Sequence, residues 1–175
     1  SKIINIKNIH KLPLEEKKKI SKDLKKITSK RKLLRKNNHM IMGILNMTPD
    51  SFSDGGKFNS LKKAFQRIKE MKKAGAEIID IGGESTRPGS QIISEKKELN
   101  RVKKIISEFK KKFPKTKLSI DTRKSLVMEF SMRNKADIIN DVSCFKFDPK
   151  SFSLIKNKDL WKIIHHMQGT PQTMQ

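Results

Sequence analysis

The sequence has few of the residues that mark several protein classes. Its single cysteine, Cys144, cannot form a disulfide within the chain, which favours a reducing compartment. There is no tyrosine, and only seven of the 41 basic residues are arginine. Proteins that read base sequence depend on arginine, so we interpret the formal charge of +23 as a solvated lysine-rich surface, not a nucleic-acid interface. That charge can still steer anionic substrates.

Long hydrophobic stretches are also missing. No apolar run approaches the roughly 20 residues of a membrane span, so no membrane partner is expected. The N-terminal segment has no hydrophobic region of the kind found in a secretory signal, and Glu15 and Glu16 argue against a transit peptide. We therefore expect a cytoplasmic protein.

Residues 1–39 differ in composition from the remainder and form a lysine-rich extension. The spacing of Ile20, Leu24 and Ile27 predicts one amphipathic helix over Leu14–Ile27, and Pro13 suits its start. We expect a surface arm, with a tail that follows phosphates as the alternative.

Residues 40–175 alternate between short apolar runs and amphipathic segments. The runs predict strands at 41–45, 77–81, 117–120, 137–139 and 161–164, each apolar enough to be buried on both faces. The segments predict helices at 61–74 with Gly75 as stop signal, at 95–113 capped by Ser94, at 124–134, and after Asp148 with Phe152 and Ile155 as its apolar residues. Five successive βα units imply a parallel sheet. Either a doubly wound open sheet or part of a (β/α)₈ barrel fits.

Polar residues follow every predicted strand, and in a parallel sheet they share one rim. Asp121 and Asn140 offer a carboxylate and an amide that can read the donor and acceptor edge of a heterocycle. Asn46 presents an amide oxygen suited to Mg²⁺. The run Ser85–Arg87, with glycines nearby, can bind an anion.

Simpler interpretations compete at each position. A strand-end Asp or Asn is often a helix cap or a turn residue. Zinc at His165 and His166 is improbable, because adjacent strand residues point to opposite faces. Cys144 is an improbable nucleophile, since no activating base is near it in sequence. It is the convergence of five loops that favours a functional site.

Five motifs carry a family resemblance, in order, over residues 40–175. They are MGILNMTPDSFSDGG (42–56), GAEIIDIGGESTRPGS (75–90), LSIDTRK (118–124), ADIINDVS (136–143) and HHMQGTPQTMQ (165–175). The chain resembles the dihydropteroate synthase family, the folate-pathway enzymes of the pterin-binding barrel superfamily. Corrinoid-linked, pterin-dependent methyltransferases share the Asp and Asn strand ends, but the first two motifs are not expected in them.

The resemblance implies a TIM (β/α)₈ barrel, truncated here to about its first five βα units. It implies that 4-aminobenzoate displaces pyrophosphate from 7,8-dihydropterin-6-ylmethyl diphosphate to give 7,8-dihydropteroate, with Mg²⁺ as cofactor. Implied roles are a Mg²⁺ and diphosphate ligand at Asn46 and a pterin-binding pair at Asp121 and Asn140. Further implied contacts are Thr86 and Arg87 with the diphosphate and substrate, beside a substrate-binding Ser85, and a 4-aminobenzoate and sulfonamide pocket at Phe52, Thr86 and Pro88. Asp80 and Met167 are implied near the pocket, in a structural or a substrate-binding role. The implied catalytic residues are Asn46, Asp121 and Arg87.

Family members have three further strands, which supply more pterin and diphosphate ligands and the dimer contacts. We therefore expect a fragment that is incompetent for turnover alone and that forms the family homodimer only with the absent part. The alternatives are a non-catalytic pterin-binding remnant, a pterin-dependent methyltransferase relative and a basic nucleic-acid-binding protein.

Overall fold

The computed structural model describes residues 12–28, 39–48, 57–85 and 90–165, with the backbone alone described at 24, 26–28 and 57–60. The chain divides into two compact units, Ser1–His39 and Met40–Gln175. In the first unit, helix α1 spans Leu14–Thr28, and Lys17 N donates to Pro13 O at 3.0 Å in its first turn. The acidic residues Glu15 and Glu16 also lie in this turn, where they complement the helix dipole. No helix within the described ranges is long and apolar enough to cross a membrane.

The second unit is built on a parallel sheet. Its strands are β1 (Met42–Asn46), β2 (Ile78–Gly82), β3 (Lys117–Asp121), β4 (Ile138–Asp141) and β5 (Trp161–Ile164). The connecting helices are α2 (Lys57–Lys73), α3 (Glu95–Lys112), α4 (Ser125–Arg133) and α5 (Pro149–Ile155). Every predicted strand and helix is present within a few residues of its expected bounds.

Strand order decides between the two architectures that the sequence left open. Each strand pairs in parallel with the next strand in the chain, in the order β1-β2-β3-β4-β5. A doubly wound sheet reverses its strand order at a switch point and places helices on both faces. Here successive helices contact one another, from α2 through α5, as one layer. The sheet is therefore part of a (β/α)₈ barrel wall, as expected.

The hydrophobic core lies between this helical layer and one face of the sheet. Its fully buried side chains come alternately from the strands and from the helix stripes: Ile68, Ile79, Ile81, Ile105, Ile106, Phe109, Leu118, Ile120, Met128, Ile139 and Ile155. Burying each Ile or Leu stabilises the fold by about 2 kcal/mol relative to an exposed side chain. The helix-facing side of the strands thus provides stability, and the opposite side is left for polar residues.

Helix ends follow the predicted signals. Ser94 caps α3 by accepting from Lys97 N, and Asp148 caps α5 by accepting from Lys150 N. Gly75 ends α2 with φ of 103°, and the N–H of Ala76 reaches back to Met71 O at 2.9 Å. This bond pattern is a Schellman motif, which requires a left-handed residue at the position of Gly75.

One expectation about burial is wrong. The edge strands are not covered on both faces, and Ile44 and Ile164 are 65% and 57% exposed. In α5, Phe152 is 60% exposed although Ile155 is 1% exposed. Because α5 has only seven residues, one narrow face of it packs against the core, and Phe152 lies outside that face.

Candidate active site

One row of the sheet brings the predicted polar residues together. Asn46 pairs in register with Gly82, Gly82 with Asp121, and Asp121 with Asn140. Register partners in parallel strands point to the same face, and neighbouring strands lie about 4.8 Å apart. Alternate residues of the same strands belong to the helix-facing core. The row therefore presents its side chains on the face away from the helices, at the carboxyl ends of the strands.

Gly82 leaves a cradle in the middle of this row. A Cβ at Gly82 would lie 3.3 Å from Asp121 Oδ2 and 3.6 Å from Asn46 Oδ1. Two oxygen atoms from separate strands thus approach one point from either side. The glycine opens space for a small group between them.

Asn140 is held by hydrogen bonds at both ends of its amide. Its Nδ2 donates to Asp80 Oδ2 at 3.0 Å, and its Oδ1 lies 3.0 Å from His165 Nε2. That second bond requires the proton on His165 Nε2, because an amide oxygen only accepts. The amide orientation is thereby fixed. Asp80, suggested as a residue near the pocket, and His165, not chosen as a site residue, both support Asn140.

The Asp121 carboxyl is a weaker acid than an ordinary aspartic acid side chain. Burial raises the pKa of Asp121 to about 7, and the negative charges of Asp80, Glu98 and Asp141 add to the rise. Burial also raises the pKa of Asp80. Carboxyls in this condition are candidates for ligand binding or catalysis.

Neighbouring residues at the end of β4 have different tasks. Asn140 belongs to the row described above. The Asp141 carboxylate instead accepts from Ser143 N and Ser143 Oγ at 2.7 Å and from Phe145 N at 3.2 Å. Cys144 and Phe145 have φ of 55° and 59°, the left-handed region that this turn imposes. Asp141 therefore shapes the loop, which matches the turn interpretation for one of the two strand-end residues.

The loop after β2 is tied to the loop after β3 through charged residues that sequence reasoning did not single out. Arg123 Nε donates to Glu84 Oε2 at 2.8 Å, and Lys124 contacts both Glu84 and Glu98. In a chain with so many lysines, residue type does not mark Lys124 as buried. Its position directly after LSIDTR was the only available signal.

Ser85 is described and partly buried, and its carbonyl accepts from Ser90 Oγ at 2.6 Å. Five other predicted site residues lie outside the described residues, namely Phe52, Thr86, Arg87, Pro88 and Met167. The roles implied for these five remain predictions.

The oxygen atoms at the cradle fit the predicted cation. Mg²⁺ prefers oxygen ligands and usually keeps several waters, so it needs few protein groups. Asn46 Oδ1 and Asp121 Oδ2 border the same cradle, and Asn46 is exposed to solvent. Across the described ranges, no group of three or more His, Cys, Asp or Glu side chains is arranged to hold a metal. A magnesium site here would therefore rest on Asn46 with Asp121 beside it.

Residues 42–175 are similar to known proteins of one family. A family model described as pterin binding enzyme matches residues 42–175. The dihydropteroate synthase of Synechocystis is 45% identical over 135 residues, which cover 77% of this chain and 46% of that protein.

Two crystal structures are also similar. Dihydropteroate synthase of Yersinia pestis, solved with a sulfonamide drug, has a TM-score of 0.70 and 43% identity, covering 81% of this chain and 50% of the other. That of Burkholderia cenocepacia, complexed with 7,8-dihydropteroate, has a TM-score of 0.66 and 36% identity, covering 81% and 46%. The chain spans about half the length of these relatives. With its parallel barrel wall and its row of strand-end amides and carboxylates, the chain belongs to the pterin binding enzyme family.

Proposed function

We propose that this chain supplies the pterin half of a dihydropteroate synthase in folate biosynthesis. The observation that carries the proposal is the register row from Asn46 to Asn140, with an amide and a carboxylate side by side on rigid strand ends. The substrates would be 7,8-dihydropterin-6-ylmethyl diphosphate and 4-aminobenzoate. Relatives solved with 7,8-dihydropteroate and with a sulfonamide drug support this substrate class.

Pterin recognition falls to Asp121 and Asn140. A dihydropterin ring presents N–H donors beside a carbonyl and a ring nitrogen. An ionised Asp121 accepts from the donors, and the Asn140 amide, oriented by Asp80 and His165, contacts the adjoining polar atoms. Because both residues lie on strands, the ring is held in one orientation while the reaction proceeds at its methylene substituent.

The bond changes are simple. The methylene carbon loses its bond to the diphosphate oxygen, which leaves with the bonding electrons, and the electron-rich pterin stabilises the resulting cation. The neutral amine of 4-aminobenzoate then forms the new carbon–nitrogen bond and releases a proton to solvent. No strong base is needed, since an aniline nitrogen is nucleophilic when neutral.

Leaving-group stabilisation belongs to the loops. Mg²⁺ bound near Asn46 would neutralise charge that develops on the diphosphate. We assign Thr86 and Arg87 to the diphosphate and Phe52, Thr86 and Pro88 to 4-aminobenzoate, with Met167 against the pterin.

We also propose that the enzyme works in the cytoplasm, where Cys144 stays reduced, and uses neither nucleic acid nor membrane as a partner.

Turnover by the full-length polypeptide tests the proposal. The assay follows incorporation of labelled 4-aminobenzoate into pteroate with Mg²⁺ and dihydropterin diphosphate, with and without a sulfonamide. Sulfonamide-sensitive product is expected, and Asp121→Asn is expected to remove most of it. The matched control is Asp137→Asn, at the opposite ends of the strands, which should retain activity. Pterin binding without turnover would instead favour a non-catalytic pterin-binding protein. The absence of both pterin binding and turnover would contradict the proposal.

A further inference from the structure

Thr122 follows Asp121 directly, is buried, and uses both its N–H and its hydroxyl group in contacts within the fold. Its N–H donates to Asn140 O at 3.0 Å. Its Oγ1 donates to Glu98 Oε1 at 2.6 Å and accepts from Lys124 N at 3.2 Å. The hydroxyl proton lies toward Glu98, because the N–H of Lys124 can only donate.

Glu98, in the first turn of α3, binds this hydroxyl group with a carboxylate that is itself fixed. The residue is fully buried. Its Oε1 accepts from Thr122, and its Oε2 lies 2.6 Å from Lys124 Nζ. The stem of the side chain is closely packed, since a Cβ at Gly83 would lie 3.0 Å from Glu98 Cγ. With both oxygens engaged and the stem in contact with the end of β2, the carboxylate has one defined orientation.

Lys124 completes the Thr122 network, which consists of Glu98, Thr122 and Lys124. Its Nζ also lies 2.8 Å from Glu84 Oε1, and its side chain is 5% exposed. Lys124 is the N-cap residue of α4 but makes no cap bond with its side chain, which is therefore available to the carboxylates. Its carbonyl accepts the first hydrogen bonds of α4. The network thus connects the end of β3 to the starts of two helices, α3 and α4.

The Thr122 network acts on the two residues assigned to the pterin ring. Asp121 and Asn140 are register partners on β3 and β4, and the bond from Thr122 N to Asn140 O comes immediately after that pair. Adjacent residues of an extended segment point to opposite faces, so Thr122 is anchored toward the helices while Asp121 lies on the ligand side. The ends of β3 and β4 are therefore joined to each other and to α3, next to the atoms that recognise the ligand.

A need for a hydrogen-bond partner does not by itself explain these contacts. Ser131 is buried too, and its Oγ donates to Val127 O at 2.7 Å, one turn earlier in its own helix. Thr122 instead reaches a carboxylate 24 residues away in the chain. Burying that carboxylate with an ion pair costs desolvation free energy that the attraction only partly offsets. What the arrangement adds is a fixed geometry between β3, β4 and α3.

We propose that Thr122 and Glu98 are positioning residues that hold Asp121 and Asn140 at the spacing needed to bind a pterin ring. The inference rests on the proposed function, since Asp121 and Asn140 are taken to read that ring. Both positioning residues are buried on the helix side of the sheet and act through the ends of β3 and β4, without contact to the substrate.

The affinity of the full-length polypeptide for 6-hydroxymethyl-7,8-dihydropterin, measured by fluorescence titration, tests this role. Thr122→Val keeps the branched shape and the N–H but removes the hydroxyl group. We expect the Kd to rise about tenfold or more, because misplacing a positioning group by about 1 Å can cost up to about 100-fold. Thr122→Ser keeps the hydroxyl group and should restore most of the parent's affinity.

Ser131→Ala is the matched control, because it also removes a buried hydroxyl group, in this case from α4. It should lower the melting temperature, as Thr122→Val does, because both variants lose a buried hydrogen bond. Its Kd for the dihydropterin should change by less than about twofold, since Ser131 has no contact with the strand ends.

Glu98→Gln tests the other end of the contact, and it decides the matter alone if Thr122→Val does not fold. It keeps an oxygen for the Thr122 hydroxyl group but removes the charge that pairs with Lys124. The Kd should rise about threefold to tenfold, since a neutral acceptor holds the hydroxyl group roughly half as strongly as a charged one. Combining Glu98→Gln with Thr122→Val should raise the Kd no further than Thr122→Val alone, within about twofold, because both residues act through one contact.

Each outcome has one meaning. An unchanged Kd in a folded Thr122→Val or Glu98→Gln variant would overturn the positioning role. So would an equal rise in Ser131→Ala, a failure of Thr122→Ser to restore affinity, or single effects that multiply in the double variant. A parent polypeptide that neither binds the dihydropterin nor turns over would contradict the proposed function itself, and with it this inference.

Discussion

Asn140 donates its side-chain amide to Asp80 across the width of β3, the strand that separates them in the sheet. The bond is 3.0 Å long and buried. It joins a residue at the strand ends to one deeper in the same face, because Asp80 pairs in register with Ser119, two residues before Asp121. The bond thus connects Asn140, at the rim of the sheet, to Asp80, which lies deeper on the same face.

Replacing this amide by a carboxyl should make stability depend on pH. In Asn140→Asp, one shared proton can preserve the bond to Asp80 at pH 5, but two ionised carboxylates at this distance repel each other at pH 8. The pKa of the pair is raised by folding, so its stabilisation is lost as pH increases. We expect a loss on the order of 3 kcal/mol at pH 8 relative to pH 5, measured by urea denaturation.

Asn100→Asp provides the control, because Asn100 is exposed on α3, where its side-chain oxygen accepts from Lys103 Nζ at 2.8 Å. Its stability should differ little from that of the parent at either pH. Equal pH dependence in the two variants would contradict the assigned role of the Asn140 contact.

Pterin affinity should increase as pH rises through 7. Burial raises the pKa of Asp121 to about 7, and the ionised carboxylate is the form that accepts from the pterin N–H groups. Between pH 6 and pH 8 the ionised fraction grows about tenfold, and affinity should follow. A fluorescence titration with a dihydropterin at both pH values measures this. Asp121→Asn should bind weakly with a flat profile, and a flat profile in the parent would refute the prediction.

Stability should respond to Asp121 in the opposite direction. The folded pKa lies above the value of about 3.9 in the unfolded chain, so the favourable contribution is complete below that value and is lost as pH rises through 7. Asp121→Asn should therefore raise the free energy of unfolding at pH 8 by on the order of 2 kcal/mol, with almost no gain at pH 4. Urea denaturation at pH 4 and at pH 8 measures the gain in the free energy of unfolding at each pH. A larger gain at pH 4 would contradict the assigned pKa.

Two adjacent glycines should respond differently to the same substitution. In Gly82→Ala the new methyl group enters the cradle, 3.3 Å from Asp121 Oδ2. We expect the affinity for dihydropterin diphosphate with Mg²⁺ to fall by about tenfold or more, with a stability change within about 1 kcal/mol. Calorimetric titration and thermal denaturation separate the two effects.

Gly83→Ala is its partner experiment. The methyl group there meets Val102 at 2.9 Å and the backbone oxygen of Glu98 at 3.1 Å, so α3 must shift. A cost of about 1–3 kcal/mol is expected from overpacking. If Gly82→Ala proved the more destabilising of the two, the space assigned to the cradle would be wrong.

The end of α4 can be improved. Lys135 has φ of 63°, and the bonds from Lys135 N to Met132 O and from Ala136 N to Ser131 O reproduce the Schellman motif at Gly75. A residue with a Cβ is strained in this region, and glycine is not. Lys135→Gly should raise the free energy of unfolding by about 0.5–1 kcal/mol. Gly75→Ala should lower it by a similar amount. A decrease for Lys135→Gly, or an increase for Gly75→Ala, in urea denaturation would contradict the motif.

Local patterns were sufficient for the elements and for the polar row. Apolar runs that stop at Asn46 and Asp121 predict both the strands and the rim, because the two-residue period of a strand fixes which side chains share a face. Glycine and the capping residues predict the helix ends, because they satisfy the backbone groups that a helix leaves unpaired at its ends. The ends of β1, β2 and β3 were placed one residue early, because Asn46, Gly82 and Asp121 still pair with the neighbouring strand.

Long-range contacts could not be read in the same way. The order of the strands depends on which helix faces pack together, and both architectures share the same local pattern. Glu84 and Arg123 are 39 residues apart, and apart from its place at the end of LSIDTRK nothing distinguishes Lys124 from the 33 other lysines. Asp80 is inconspicuous in sequence for a similar reason, because its importance comes from Asn140 on a strand that it does not pair with.

The sequential strand order has a consequence for how the chain emerges from the ribosome. Each strand finds its only preceding neighbour already synthesised, so the wall can extend one unit at a time without waiting for a distant segment. Recognition is assembled in the same direction, from Asn46 to Asp121 to Asn140. Every pairing that builds the row of Asn46, Asp121 and Asn140 is therefore free to form in the order in which its strands are synthesised.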